Sequence, residues 1–548
     1  MTRMTWAVCG VVALRNLACC GLRRAAFVCF AWLVLVAWPT TRGEPNVGLS
    51  DALADAELTD LFFLDPEHGW AVGDRGAIWS TSDGGRQWRR RESPSGCRWE
   101  SVWFADSQHG WIVGGWHQPA TGQSRGAVLR TRDGGQNWMP VPASTLPRLL
   151  KVRFSDSQRG WAVGEPTPLY PTGVFRSEDG GRSWAPVPGP ACGQWLTGDW
   201  LAKPGRTRLG IVAGRHGSVA QLAADGLAPQ VVPAASGRSI RAITLATATE
   251  PQRGFPSWLV GDDGLVLSSY DGGRSWLEPP TPPPLACGQV DWRGVAALDG
   301  RVWIVGDPGS VVLHSADGGE SWQLLRTDES APLRSVRFFD RQRGWAVGAL
   351  GQILATRDGG QTWKRAQGRG RVALLGLFSD ESRLPLELFA QTAGNDGYLA
   401  VAELLFHRDL TSASSSTRSP ANVPANSTTD NTTVETTRAP AYSTANVAAT
   451  ARVTDWLGDA HRHSLAARVH AALLEAGASG GGVLERFPVE DRGLEPTAER
   501  LVAAWNERFE GRGFERLVEQ LTTKLRTWRP EVVVTEDTVG DGADALTG

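Results

Sequence analysis

Carboxylates, thiols and imidazoles are the side chains with which this chain could do chemistry, and each group has a readable spacing. Six Asp-Gly-Gly-x-x-Trp boxes set an acid and an indole at one separation: Asp83 and Trp88, Asp133 and Trp138, Asp179 and Trp184, Asp271 and Trp276, Asp317 and Trp322, Asp358 and Trp363. The adjacent carboxylates Asp262 and Asp263 are a candidate pair for glycoside hydrolysis, which needs two acids flanking one bond. Cys97, Cys192 and Cys287 each follow a box tryptophan by 8–11 residues, a placement that raises a three-thiolate metal site. His461, His463 and His470 crowd one C-terminal segment.

The elements that must carry these residues argue against most of that chemistry. With a worn copy at Asp225-Gly226, the box aspartates recur at intervals of 50, 46, 46, 46, 46 and 41 residues. A fixed period in this range marks a repeat architecture. Each unit opens on an apolar segment such as Val152-Arg153-Phe154. It continues through Gly-Trp-Ala-Val-Gly or a variant, then a short apolar run, and closes on the box with another short strand. Four short strands per unit, bounded by Gly, Asp or Pro, are what a propeller blade requires. The expected fold is therefore an all-β seven-bladed propeller over residues 55–370, followed by a partial α/β C-terminal region.

In that fold the box is a turn device. It spans the connection between the third and fourth strands, where Asp accepts backbone N–H groups and the glycines adopt conformations a side chain would penalise. Trp covers the hairpin and packs toward the neighbouring sheet. Asp262 and Asp263 fall in a tight turn of the fifth unit, the cysteines read as buried free thiols, and the histidines as residues of an amphipathic helix. No catalytic residue, metal or cofactor is assigned.

The boxes match the Asp-box (BNR) repeat. Arg159-Gly160-Trp161-Ala162-Val163-Gly164 followed by Asp179-Gly180-Gly181-Arg182-Ser183-Trp184 resembles the photosystem II stability/assembly factor family. That resemblance covers about residues 55–370. It implies an exported, non-catalytic propeller that docks on a membrane-protein assembly intermediate or another protein partner. The runner-up is a carbohydrate-active Asp-box propeller. Sialidases, which also carry Asp boxes, resemble this chain less: they have six blades, an early Arg-Ile-Pro motif and a tyrosine nucleophile, and here no Arg-Ile-Pro occurs and only 4 Tyr are present.

Irregular loops usually carry function on a regular scaffold. Box turns lie on one face of the disc, so the opposite face, with the inter-blade connections and the loops between second and third strands, is the expected binding face. Candidate partner-binding residues are Arg89, Arg90, Arg91 and Arg98 in one basic cluster, Arg148 and Arg153 in another, Trp116 and His117 in the second blade, and Tyr170 in the third. With 56 Lys and Arg against 58 Asp and Glu the net charge is −2, which argues against nucleic acid as partner. The chain reads as a monomer.

Residues 1–43 read as a signal: Arg23-Arg24 precede a fourteen-residue apolar run ending at Pro39, shorter than a bilayer span. The destination is periplasmic, lumenal or extracellular, with membrane association. Past the propeller, residues 371–408 open an α/β region with a buried strand at 372–378 and a largely helical stretch at Leu384–Phe406. Residues 409–452, rich in Ser, Thr, Pro and Asn, read as a disordered linker. Residues 453–548 read as helices at 455–476, 497–509 and 513–528 and a strand at 531–535. Arg529-Pro530-Glu531-Val532-Val533-Val534 resembles a deacetylase family acting on N-acetylglucosaminyl lipids. The family's His-Pro-Asp-Asp motif is replaced by Phe378-Ser379-Asp380-Glu381, so no activity is carried over, and the region reads as truncated.

Overall fold

The computed structural model describes residues 54–535 outside 119–122, 143–144, 191–194, 204–205, 224–225, 231, 236, 247–254, 369–371, 379–383, 396–398, 405–406, 409–464, 484–487, 490–501, 504 and 508. The signal, Cys192, Asp225, His461, His463 and the 409–452 linker lie outside the described residues.

Seven antiparallel sheets follow one another along the chain, each with its strands in sequence order. Blade 1 is typical, with strands Leu58–Phe63, Gly69–Gly73, Ile78–Thr81 and Arg89–Arg90. The first strands of successive blades abut in a closed ring, the seventh against the first, and so line the central channel. Blade 5 departs from the expected four strands. Its sheet is Ile240–Thr244, Ser257–Gly261 and Val266–Ser269, and only a single bridge, Ser268 to Leu277, stands for the fourth. Pro279 and Pro280 follow at once and have no N–H to continue the ladder.

Asp-box geometry is a hydrogen-bond relay. Asp83 Oδ1 accepts the backbone N–H of Arg86 at 2.9 Å and of Gln87 at 3.0 Å, and the Thr81 hydroxyl donates to it at 2.9 Å. That hydroxyl in turn accepts the N–H of Gly85, at 2.9 Å. Ser or Thr two residues before the Asp repeats this role at Thr131, Ser177, Ser269, Ser315 and Thr356. The second glycine of the box has φ of +79 at Gly85, and a Cβ there would also lie 2.6 Å from the Trp345 indole nitrogen. Both the turn and a neighbour's tryptophan therefore require glycine.

That neighbour is the tryptophan of Gly-Trp-Ala-Val-Gly, and it is the main inter-blade contact. Trp111 of blade 2 stacks on Phe154 of blade 3 at 3.5 Å and donates to Gly180 O at 2.9 Å. Trp303 does the same with Phe338 and Gly359 O, at 3.6 and 2.8 Å. Trp345 of blade 7 stacks on Phe63 of blade 1 at 3.6 Å and donates to Gly84 O at 3.1 Å, which closes the ring. Box tryptophans stand edge-on to the phenylalanine of their own blade, as Trp88 does to Phe63 and Trp363 to Phe338. They seal the blade they belong to, while the strand-two tryptophan joins it to the next.

Blade 4 has Ile211 where the others have Trp, and a different donor crosses this joint: Gln221 Nε2 reaches the carbonyl of the second box glycine of blade 5, Gly273, at 3.1 Å. Gln221→Met should therefore lower stability by about 1–2 kcal/mol, because a carbonyl at the blade contact loses its donor. Urea denaturation checks this, and a shift below experimental error would remove the glutamine from the joint.

The boxes also set an acid limit. For Asp271, burial raises the pKa, but hydrogen bonds from Ser275, Ser269 and Arg274 N outweigh it and hold the carboxyl at about 2 against an ordinary 3.8. A depressed folded-state pKa contributes stability that is complete above the unfolded value and lost as pH falls through the folded one. The other five boxes shift the same way. The midpoint of thermal unfolding should thus be flat from neutral pH down to roughly 5 and drop steeply between about 4 and 2. Circular dichroism melts across that range measure it.

The C-terminal residues form a four-stranded parallel sheet in the order Gly480–Val483, Ala400–Leu404, Leu374–Phe378, Val532–Thr535. Strand Ala400–Leu404 corrects the expected helix over Leu384–Phe406. Helix occupies only Leu386–Phe389, extended by a wider turn to Asn395. Ala, Leu and Glu favour helix locally, and pairing with two parallel neighbours overrides that preference. A parallel sheet must be covered on both faces. One face packs on Leu386, Phe389, Val469 and Leu473. On the other, Leu375, Leu377 and Val401 meet Trp528 of the Gly513–Trp528 helix together with Ala331, Ala349 and Leu350 of the propeller. Blade 7 thus completes the cover of the C-terminal sheet.

Candidate functional site

First strands carry a β-bulge in all seven blades, the register slipping at Leu58/Asp60, Trp99/Ser101, Leu149/Lys151, Trp195/Thr197, Ile240/Ala242, Trp292/Gly294 and Leu333/Ser335. A bulge re-aims a side chain. The residues caught in it include Glu100, Arg241, Arg293 and Arg334, and these take part in ion pairs around the ring. Arg241 and Arg293 share Asp262, at 2.8 and 3.3 Å, and Lys151 meets Asp60 at 2.9 Å. Arg153 reaches Asp199 at 3.0 Å while lying 4.2 Å over the Trp103 ring.

On the face opposite the boxes a further set of pairs centres on Arg98. Its Nη1 lies 2.9 Å from Glu57, 2.5 Å from Asp74 and 2.7 Å from His470 Nε2, and its Nε donates to Glu100 at 2.8 Å. Arg334 holds the other oxygen of Glu57 at 2.6 Å. Burial pushes Glu57 up, but Arg334 and Arg98 outweigh it and hold the carboxyl well below the usual range. Burial works against the charge of Arg98, and Asp74, Glu100 and Glu57 raise it well above its ordinary value.

His470 belongs to the C-terminal helix Leu465–Glu475, so this cluster joins the two parts of the chain. Nε2 is 2.9 Å from Asp74, and Nδ1 is 3.2 Å from the Gly481 carbonyl. Beside it Arg75, in the loop between second and third strands of blade 1, donates to the carbonyls of Gly477, at 2.6 Å, and Ala478. A second anchor lies at blade 6. Lys524 Nζ is buried 3.4 Å from Asp307 and 3.0 Å from Glu403, and Trp528 Nε1 donates to the same Glu403 at 2.9 Å. Burial disfavours the ammonium, and Asp307 and Glu403 outweigh it, so its pKa is raised. The expected binding face is therefore already engaged at blades 1, 2, 6 and 7 by the chain's own C-terminal region.

Glu57, Asp74 and His470 bring three ligand atoms within 4.8 Å of one another. They do not fit a metal, because the Arg98 guanidinium occupies the point where the three converge. Cys97 and Cys287 are buried free thiols, each pushed by burial up to about 11, which leaves them protonated and poor ligands.

The sequence-derived partner residues separate into two groups. Arg98, Arg148 and Arg153 are internal: Arg148 bonds Glu100 and meets Glu165 at 3.2 Å. Arg89 and Arg90 are exposed on the outermost strand of blade 1, and Arg91 donates to Ser80 at 2.8 Å, so they form no continuous patch with Arg98. Trp116 stands near the tip of a tall hairpin in blade 2, 36% exposed beneath Arg125. His117 pairs with Ser124 in that hairpin, its side chain lying outside the described residues. Tyr170 is half-buried edge-on to Phe175, and its neighbour Leu169 is 68% exposed. Asp262 is locked by two arginines, and Asp263 sits at φ 55 in its turn.

Sequence reasoning missed the two anchors. A signal existed: the chain has only four lysines, and two of them, Lys151 and Lys524, are buried in ion pairs.

Comparison with known proteins gives a family model described as photosynthesis system II assembly factor YCF48, matching residues 49–145 and 241–335. The photosystem II assembly lipoprotein Ycf48 of Synechococcus sp. (strain CC9902) is 29% identical over 24% of this chain and 41% of its own length. The photosystem II stability/assembly factor HCF136, chloroplastic, of Arabidopsis thaliana is 28% identical over 21% of this chain and 29% of its own length. This chain spans less than half the length of these curated relatives. A solved structure titled "YCF48 bound to D1 peptide" aligns over 56% of this chain and 92% of its own, with a TM-score of 0.44 and 23% identity.

Proposed function

We propose that this chain, whose propeller is of the photosystem II stability/assembly factor-like Asp-box family, is a non-catalytic exported binding protein that holds a protein partner on its loop face. The match of two propeller segments to the assembly-factor family model carries this reading. Relatives named as photosystem II assembly proteins point to a membrane-protein complex as the partner's setting. An exported address rests on the 1–43 signal reading and on relatives that include a lipoprotein and a chloroplast protein. Among the described residues no helix is long and apolar enough to cross a membrane.

Within the loop face the partner surface is the outer part of blades 2 and 3, where Trp116, Arg125 and Leu169 stay exposed, while blades 1, 6 and 7 and the Arg98 end of blade 2 carry the C-terminal region. An exposed aromatic ring under a guanidinium is the composition of an interface anchor, and Leu169 adds exposed apolar surface in the next blade. Carbohydrate chemistry is not favoured. A glycosidase needs one carboxyl with a raised pKa facing a second across an open bond. Asp60 and Glu57 are instead ion-paired and held below the usual range.

The test is capture from solubilised host membranes on the immobilised mature chain. Recovery of a membrane complex, cut by about tenfold in Trp116→Ala/Leu169→Ala, is expected. Recovery unchanged in that variant, or cleavage of a glycan panel, would contradict the proposal.

A further inference from the structure

We infer that the mature chain pairs with a second copy of itself through the outer side of the helix Gly513–Trp528, the two helices running antiparallel about a twofold axis. Phe514, Leu517, Val518, Leu521, Leu525 and Trp528 recur mostly at three- and four-residue steps, the spacing of an amphipathic helix. Asn506 Oδ1 accepts the N–H of Gly513 at 2.7 Å where the helix starts, and Arg529, at φ 46, ends it in the left-handed region.

One side of this helix is taken up by the fold. Leu517, Lys524 and Trp528 are buried, and Trp528 and Leu521 pack on the parallel sheet and the propeller. The apolar surface continues past that side. Phe514, Val518 and Leu525 are 39, 43 and 38% exposed. At 3.6 residues per turn they lie within about 40° of one another, next to the buried side. Val533 of the edge strand, 43% exposed, is in register with Leu375, which packs toward this helix, so it stands on the same side of the sheet. Among the described residues no strand pairs with the outer edge of Val532–Thr535. Large apolar side chains left bare together mark an interaction surface.

Charge identifies the occupant. Along the solvent side of the stripe stand Glu515, in the first turn of the helix, and Arg526, in its last turn, both exposed. Glu515 meets Arg512 at 2.8 Å within its own helix, whereas Arg526 makes no ion pair among the described residues. Two copies of the helix laid antiparallel, centred near residue 520, set Phe514 of one against Leu525 of the other. The same overlap sets Glu515 against Arg526, twice by symmetry. A parallel pair would instead oppose Glu515 to Glu515. Twofold pairing requires a patch complementary to itself, and this one meets that condition. Its flank carries both signs without the basic excess of a helix made for an anionic membrane. A twofold pair replaces the monomer expected from the sequence.

Sedimentation equilibrium of the full mature chain tests this. A reversible monomer–dimer equilibrium with a Kd of about 1–100 µM is expected, the strength of a small interface. Val518→Glu should abolish it over that range. Glu515→Arg and Arg526→Glu should each weaken it about tenfold, because like charges then face each other twice, and the double reversal should restore it to within about threefold. Leu169→Ala, in the loop-face surface proposed above, should leave it unchanged, which separates this inference from that one. A monomer at every concentration would mean that another segment or a different partner covers the stripe, and would overturn the inference. So would a dimer undiminished by Val518→Glu, or single reversals that the double reversal fails to rescue. Unchanged thermal melts of the variants exclude misfolding as the cause.

Discussion

Arg98→Met lowers the stability of the folded chain by about 3–5 kcal/mol, the range for a buried ion pair stripped of one partner. Glu57 and Asp74 are almost wholly buried, and Arg98 satisfies both while also holding Glu100. Methionine fills much of the space and removes the charge, which leaves Asp74 facing Glu57 with His470, Arg334 and the adjacent Arg75 to compensate in part. The loss should appear at both ends of the contact. Urea denaturation shifts to lower concentration, and limited proteolysis begins to release the C-terminal region from an intact propeller. Adding Asp74→Asn should recover part of the loss, because the second change removes the stranded charge. If Arg98→Met melts like the parent and shows no new cleavage, the cluster does not join the two parts of the chain.

Trp345→Ala should remove a similar amount, about 3–5 kcal/mol for a buried tryptophan truncated to alanine, and should do more than its equivalents elsewhere. Trp111 and Trp303 join blades that are also neighbours along the chain, whereas Trp345 joins the last blade to the first. Its indole stacks on Phe63 and donates to Gly84 O, so truncation opens the seam that makes the ring continuous. Repeat units coupled only to sequence neighbours unfold with less cooperativity than a closed ring. Denaturant unfolding of Trp345→Ala should therefore show a shallower transition as well as an earlier midpoint, and Trp111→Ala an earlier midpoint alone. Equal slopes for the two variants would mean that closure rests on other contacts.

What the sequence made legible is the part built from local rules. Asp, Gly and Gly fix a turn by hydrogen bonding and by positive φ, so the box could be placed on a hairpin before any contact was known. The hydroxyl two residues upstream, at Thr81 or Ser269, serves the same turn and came to light only in the structure. Blade 5 lost its fourth strand to Pro279 and Pro280, which are plain in the sequence but have consequences only once a partner strand is waiting. The loop-face cluster was not legible. Arg98 reads as the end of a basic run with Arg89, Arg90 and Arg91, yet a bulge and a change of strand turn it to the channel mouth, away from them. Glu403 stands in a stretch of helix formers and becomes a buried strand residue because a parallel sheet claims it. Which loops were left for a partner depended on where that sheet found cover for its second face, a tertiary choice with no local signature.

On the proposed reading, this propeller binds with its loop face and merely folds with its boxes. Site-specific photo-crosslinking in solubilised host membranes tests it most directly, with a benzoylphenylalanine placed in turn at Leu169, on the loop face, and at Gln87, in the exposed box turn of blade 1. Adducts to a membrane-complex subunit from position 169 and none from position 87 are the predicted result. Adducts from position 87, with position 169 silent, would put binding on the box face instead.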